Sequence, residues 1–278
     1  MHFQKVHGLG NDFVFLDLRG VPGHMTAARA RALCDRHTGV GGDGVLVFTG
    51  SPDEPVMTIW NPDGTIPEMC GNGIRCFVME LVRRFGVAAD PIIVGTGAGP
   101  LSCRWEDRGE AGFLVEVDMG AGLSDGGDVD LATLPGLRDA TVSPRGLRGQ
   151  RISIGNPHVV FFDRFTDAEV RSWGPRVTAS AAFPAGVNTE FAELTGPGRI
   201  RLTVHERGAG FTLACGTGAC ATVAAGVRAG LLESDRPVEV TLPGGVLRIL
   251  HRSEDGHLLM TGPAVEVFEG VIALDADA

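Results

Sequence analysis

The 278-residue chain has no tyrosine, a single lysine (Lys5) and only six cysteines. The missing tyrosine takes phenolic acid–base chemistry out of consideration. The lone lysine speaks against pyridoxal phosphate, which needs a Schiff-base lysine. Lys5 sits in a short strand-like N-terminal segment with no phosphate-cradling loop nearby. Six cysteines (34, 70, 76, 103, 215 and 220) are too few for a disulfide scaffold in a chain this long, and they read as reduced thiols. Long apolar runs are also missing. The uncharged stretch Phe211 to Val227 has 17 residues, is rich in Gly, Thr and Cys, and falls short of the ~20 apolar residues a spanning helix needs. The start, Met1-His2-Phe3-Gln4-Lys5, lacks the basic-then-apolar pattern of a signal peptide. Basic charge is scarce as well: the net charge of −10 disfavours nucleic acid and anionic membrane surfaces as partners. The expectation is a soluble, cytoplasmic protein acting on a small molecule, with no cofactor and no metal.

What is present is a repeat. Cys70-Gly71-Asn72-Gly73 and Cys215-Gly216-Thr217-Gly218 share one signature, 145 positions apart, and each runs into a helix-like stretch. Gly10-Asn11 ahead of Val14–Asp17 and Gly155-Asn156 ahead of Val159–Asp163 repeat at the same spacing. With 44% hydrophobic and 21% charged residues, either half can bury a core of its own. In the first half we expect a strand at Phe13–Asp17 and a Thr26-capped helix to about Arg36. A flexible Gly39–Gly44 loop and strands at Val45–Phe48 and Val56–Trp60 follow, then a helix from about Asn72 to Phe85, capped by Gly86. Strands at Ile92–Val94, Leu101–Trp105 and Phe113–Val117 complete it. A Gly-, Asp- and Pro-rich link spans 120–149. The second half repeats the order: a strand around Val159–Phe162, a Thr166-capped helix to about Trp173, and strands at Thr189–Ala192 and Ile200–His205. A helix from Cys215 to near Gly230 and a hairpin at Val238–Leu242 and Val246–Leu250 follow. Strands and helices mix without strict βαβ alternation, so the fold class expected is α+β.

Cys-Gly-x-Gly before a helix has a physical meaning. Glycines let backbone N–H groups approach a ligand. A helix N-terminus offers unpaired donors and a partial positive charge, which favour a thiolate or a bound carboxylate. A thiol there can have its pKa fall from ~8.5 toward ~3.5–7.5. Two such helix ends could hold one carboxylate, with a thiol on either side of its α-carbon. The plainer reading of a cysteine is a small buried hydrophobe, and it applies to Cys34, Cys76, Cys103 and Cys220. The spacings Cys70/Cys76 and Cys215/Cys220 are wider than structural zinc sites favour, and the second cysteine of each falls inside a helix.

These segments resemble the diaminopimelate epimerase family. The resemblance is carried by His7–Phe13, Met69–Cys76, Gly155–His158, Glu206–Gly208, Ala214–Cys220 and Met260–Ala264, in family order over nearly the whole chain. It implies two pseudo-symmetric domains, 1–118 plus 263–278 and 119–262. Each would be a curved mixed β-sheet wrapped around a central helix, with the active site in the interdomain cleft. A last strand around Ala264–Leu274 would return to the N-terminal domain. It also implies a cofactor-independent interconversion of LL- and meso-diaminopimelate, with Cys70 and Cys215 catalytic and His158 and Glu206 tuning the cysteine pKa values. Substrate binding would fall to Asn11, Asn61, Gly71, Asn72, Asn156, Asn188, Glu206, Arg207, Gly216 and Thr217, in a homodimer. For Asn61-Pro62 and Asn156-Pro157 ordinary turn chemistry competes with a binding role; for Glu206-Arg207, a solvated strand end does; for His158, a structural role. This chain departs from the family at Gly44, where many relatives carry Gln, and at Phe211, where Glu is common. The rival readings are a proline racemase-like enzyme, a zinc-binding or redox cysteine protein, and a non-catalytic binding module.

Overall fold

The computed structural model describes residues 1–21, 25–137 and 139–273. They divide into two compact units, Met1–Val117 with the segment from Thr261, and Asp118–Met260. These divisions stand beside the 118/119 and 262/263 read from the sequence.

Unit 1 begins with β1 (His2–Gly8) and β2 (Asn11–Asp17), continues through α1 (Ala27–Cys34), β3 (Gly44–Gly50) and β4 (Pro55–Trp60), and reaches the long helix α2 (Gly71–Phe85). Then come β5 (Ile92–Thr96), β6 (Gly99–Asp107) and β7 (Phe113–Ala121), which runs past the division. Unit 2 holds β8 (Leu123–Ser124), β9 (Val129–Asp130), β10 (Arg148–Ser153), β11 (Pro157–Phe162), α3 (Asp167–Thr178), β12 (Asn188–Gly196), β13 (Arg199–Glu206) and β14 (Gly210–Phe211). It ends with α4 (Gly216–Arg228), β15 (Val238–Leu242), β16 (Gly245–His251) and the first part of β17 (His257–Val271).

The repeat in the sequence is a repeat of topology. From β1 to β6 the pairings alternate antiparallel, parallel, antiparallel, parallel, antiparallel. The series β10, β11, β12, β13, β15, β16 alternates in the same order. In each unit the two parallel pairings are bridged by a helix, α1 and α2 in unit 1, α3 and α4 in unit 2. A mixed sheet with inserted helices is the α+β class expected.

Strand alternation sorts the core into two faces. In unit 1, Val14, Leu16, Val45 and Val47 pack with Leu33 and Cys34 of α1. Their neighbours point the other way: Phe15 and Phe48 lie 5.8 and 5.4 Å from Phe77 of α2. Both faces are buried, which is why β2 and β3 read as unbroken apolar runs. In unit 2, Val159, Phe161 and Phe191 pack with Val170, Trp173 and Val177 of α3.

The structure corrects several boundaries. Helix α3 does not stop at Trp173 but continues through Gly174-Pro175 to Thr178, because Val177 and Thr178 are buried beyond the proline. The 120–149 segment is more than a link: Leu131, Leu134 and Leu137 belong to the α3 core, and β10 begins inside it. The Gly39–Gly44 loop is tied down, with Gly41, Gly42 and Asp43 donating backbone N–H to Leu33, Cys34 and Asp12 carbonyls. The last strand starts earlier than expected, at His257. It pairs with β1 from His2↔Val271 to His7↔Val265. Leu274, its expected end, lies outside the described residues.

Candidate active site

Cys70 and Cys215 occupy the same structural position in their units. Each is the N-cap of the long helix that follows, with extended backbone (φ −139°, ψ 117° and φ −123°, ψ 106°). The first helical bonds run from Ile74 N–H to the Cys70 carbonyl (2.9 Å) and from Ala219 N–H to the Cys215 carbonyl (3.0 Å). The N–H groups of Gly71, Asn72, Gly216 and Thr217 therefore lie in first turns, where no intrahelical acceptor exists. The glycines at the fourth motif position sit in crowded places. A Cβ on Gly73 would meet Leu46 Cδ2 at 2.9 Å, and one on Gly218 would meet Glu190 Oε1 at 3.0 Å and Cys215 Sγ at 3.2 Å.

The duplicated asparagines prove to be partners of these motifs. Asn11 Oδ1 accepts from Asn72 Nδ2 (3.0 Å) and from Cys70 Sγ (3.8 Å). Its own Nδ2 donates to Asp43 Oδ2 (2.8 Å). Asp43 is held in turn by Arg36 (2.9 Å), which also grips Asp12 (2.7 Å), and Asp12 pairs with Lys5. The sole lysine thus serves an ion network that runs from its own buried ammonium out to the exposed Arg36 and Asp43. In unit 2, Asn156 Nδ2 lies 3.3 Å from Thr217 Oγ1, which lies 3.6 Å from Cys215 Sγ.

His158 is fully buried, with Nε2 2.8 Å from Asn156 Oδ1 and Nδ1 2.6 Å from Glu190 Oε1. Both ring nitrogens are thus engaged. Asn188 Oδ1 accepts the Arg207 backbone N–H (2.9 Å), and Arg207 Nη1 donates to the Ala185 carbonyl (2.6 Å). The Glu206 carboxylate accepts from the Thr212 hydroxyl. Asn61, by contrast, donates its side-chain N–H to Thr65 Oγ1 (2.9 Å) within its own turn.

Burial pushes the Cys215 thiol well above its ordinary pKa, and the Glu206 and Glu190 carboxylates push the same way. The Thr217 hydroxyl and the Gly218 N–H act in the opposite sense. Cys76, Cys103 and Cys220 are fully buried and Cys34 nearly so; burial drives Cys76 and Cys103 to about 12. Among the described residues, no three His, Cys, Asp or Glu side chains are grouped to hold a metal ion.

Three residues of this neighbourhood escape the sequence reading: Asp43, Arg75 and Glu190. Arg75 is fully buried and spans the Gly71 carbonyl (3.0 Å), Asn72 Oδ1 (3.0 Å) and the Pro263 carbonyl (3.2 Å), fixing the first turn of α2. Its place inside the Cys70–Cys76 motif was a usable signal. Glu190 gives itself away only as a charge within the buried first five residues of its strand.

Comparison with known proteins places the chain in a family. A model of the diaminopimelate epimerase family matches residues 3–122 and 151–267. The diaminopimelate epimerase of Synechococcus elongatus is 44% identical over 287 residues, covering 99% of both chains. That of Moorella thermoacetica is 42% identical over 282 residues, covering 99% of this chain and 100% of its own. Among solved structures, a PhzF-family phenazine biosynthesis protein of Bacillus anthracis superposes with a TM-score of 0.73 at 16% identity, covering 99% of each chain. A probable proline racemase of Agrobacterium radiobacter does so at 0.72 and 17%, covering 99% of this chain and 94% of its own. Those two likenesses speak to the fold alone. On its sequence relatives and its family match, the chain belongs to the diaminopimelate epimerase family.

Proposed function

We propose that the chain interconverts LL- and meso-2,6-diaminopimelate without a cofactor, by a two-base mechanism in which Cys70 and Cys215 exchange the α-proton. The observation that carries this is the duplicated cysteine N-cap: in each unit a thiol stands at the start of a long helix, beside the backbone N–H groups of its first turn. One thiolate removes the proton from one face of the carbon, and the other thiol returns a proton to the opposite face. The two cysteines swap roles with reaction direction. Two thiolates sharing one site repel, so the working state is one thiolate and one thiol, titrating as a pair.

Charge develops on the α-carboxylate as the proton leaves. The N–H groups of Gly71, Asn72, Gly216 and Thr217 are the donors that stabilise it; losing one such preorganised donor costs roughly 3–4 kcal/mol in other enzymes. Arg207 binds the distal carboxylate bidentately and Glu206 faces an ammonium, with Asn11, Asn61, Asn156 and Asn188 completing the fit. His158 and Glu206 tune the thiols. The enzyme acts as a cytoplasmic homodimer.

The test is incubation of LL-diaminopimelate in deuterated water. Wild type is expected to epimerise it with solvent deuterium entering at the α-carbon, while Cys70→Ala and Cys215→Ala do not epimerise. Turnover of proline with none of diaminopimelate would sink the proposal in favour of a proline racemase-like activity.

A further inference from the structure

The two units match in backbone but not in what lies behind their cysteines. In the parallel pairing of β2 with β3, Phe13 stands opposite Gly44, which puts Leu46 two residues on. In the matching pairing of β11 with β12, His158 stands opposite Asn188, which puts Glu190 two residues on. Phe13 therefore corresponds to His158, and Leu46 to Glu190. The contacts agree: Leu46 closes over Gly73, and Glu190 closes over Gly218 beside Cys215. Unit 1 fills these positions with an apolar pair. Unit 2 fills them with a histidine and a glutamate that are both wholly buried.

The exchange is not needed for packing, as unit 1 demonstrates. It is also incomplete as a polar cluster, since Glu190 Oε2 has no hydrogen-bond partner among the described residues. A buried carboxylate in that condition is costly, and such a feature calls for a functional reason.

The chain of contacts from this pair leads to Cys215. Glu190 Oε1 meets His158 Nδ1 (2.6 Å), His158 Nε2 meets Asn156 Oδ1 (2.8 Å), Asn156 Nδ2 meets Thr217 Oγ1 (3.3 Å), and Thr217 Oγ1 meets Cys215 Sγ (3.6 Å). Each link fixes the direction of the next. An amide oxygen on His158 Nε2 requires a proton on that nitrogen. The same amide then donates to Thr217, whose hydroxyl hydrogen is free to point at the sulfur.

We propose that the buried Glu190–His158 pair is a positioning element for Cys215. By holding a proton on His158 Nε2 it keeps the Asn156 N–H turned to Thr217, so that the Thr217 hydroxyl donates to the Cys215 sulfur and supports the thiolate. With one proton fewer on the pair, Nε2 becomes an acceptor and the amide turns over. Thr217 then donates to Asn156 and can only accept from a Cys215 S–H. In unit 1 the arrangement is reversed. Asp43 turns the Asn11 oxygen toward Cys70 and Asn72, and the Cys70 S–H donates to it.

The remaining charged group facing Cys215 is Glu206 of β13, which opposes ionisation, as does the bare charge of Glu190. That gives a test by sign. It rests on the reading of Cys215 as a reacting thiol, but its readout needs no substrate, so it can fail independently of the epimerase assay. In a Cys70→Ala background, alkylation of Cys215 by iodoacetamide is followed by peptide mass spectrometry near about pH 8. If Glu190 works through His158, Glu190→Gln slows alkylation by about tenfold, equivalent to one pKa unit. If Glu190 is only a nearby negative charge, the same variant speeds it, and the proposal is overturned. The double substitution H158F/E190L gives unit 2 the pair unit 1 carries, and replacing a buried charged pair by apolar groups is commonly tolerated. It is expected to melt at or above the parent temperature and to alkylate as slowly as Glu190→Gln. A folded double variant with parental or faster alkylation would equally overturn the proposal.

Discussion

Asn11 and Asn156 show how one residue type can serve two polarities. Both sit at the start of a strand behind a cysteine turn, and both hydrogen-bond the second residue after the cysteine. A carboxylate turns one amide and an imidazole turns the other, so one presents oxygen and the other N–H. The side chain supplies only capacity; its neighbour decides the use. The same logic governs Glu80, buried inside α2, where Arg84 pairs with it at 3.1 Å. Burial, with the Glu266 carboxylate adding to it, raises its pKa from 4.5 to about 7. The folded state therefore holds a proton there that the unfolded state has released. The stability Glu80 contributes is complete below about 4.5 and is lost as pH rises through about 7. Glu80→Gln is expected to flatten this dependence and raise stability by on the order of 1–3 kcal/mol near about pH 8. Urea midpoints across the window check it, and a variant with the wild-type slope would contradict it.

At the scale of elements, helix α3 makes the sharpest test of packing against propensity. A Cβ on Gly174 would lie 3.1 Å from both His205 Cβ and Phe211 Cζ. Gly174→Ala gains roughly 1 kcal/mol of helix propensity but crowds the His205 Cβ and the Phe211 ring, at about 1–3 kcal/mol. The expected net is a lower melting temperature, by about 2–4 °C, and a rise would show that the helix can shift. Phe211 packs edge-on against His205 at 4.8 Å. Helix starts were legible because Thr26, Thr166 and the two cysteine turns are local signals, and so was Gly86, whose φ of 67° a side chain would resist. The far end of α3 was not legible: Gly174-Pro175 reads as a stop, and only the burial of Val177 overrides it. β10 was hidden in a stretch whose composition is that of a loop. Glu190 was hidden for another reason. A lone charge in a strand ordinarily means a solvent-facing position, and nothing local tells that its neighbours in β11 and α4 enclose it. The cysteines, glycines and asparagines of the site were legible because duplication prints them twice; the residues behind them differ between the halves and so are printed once.

At the scale of the whole molecule, the homodimer we propose has a surface available in β17. Val265, Val267, Phe268 and Val271 are 40, 56, 49 and 68% exposed. Val267→Arg is expected to convert dimer to monomer in sedimentation velocity without lowering the melting temperature of unit 1 by more than a surface change does; an unchanged sedimentation coefficient would exclude this face. The same strand has a consequence for how the chain is made. Unit 2 is one continuous segment, complete once residue 260 has been synthesised. Unit 1 starts first yet cannot finish its sheet until β17 arrives to pair with β1, with the Met1 amino group meeting the Ile272 carbonyl at 2.6 Å. On the ribosome the half that begins earlier is thus completed later. Through most of translation the unpaired edge of β1 is exposed to other chains, and the stretch 265–271 decides whether the sheet of unit 1 is completed.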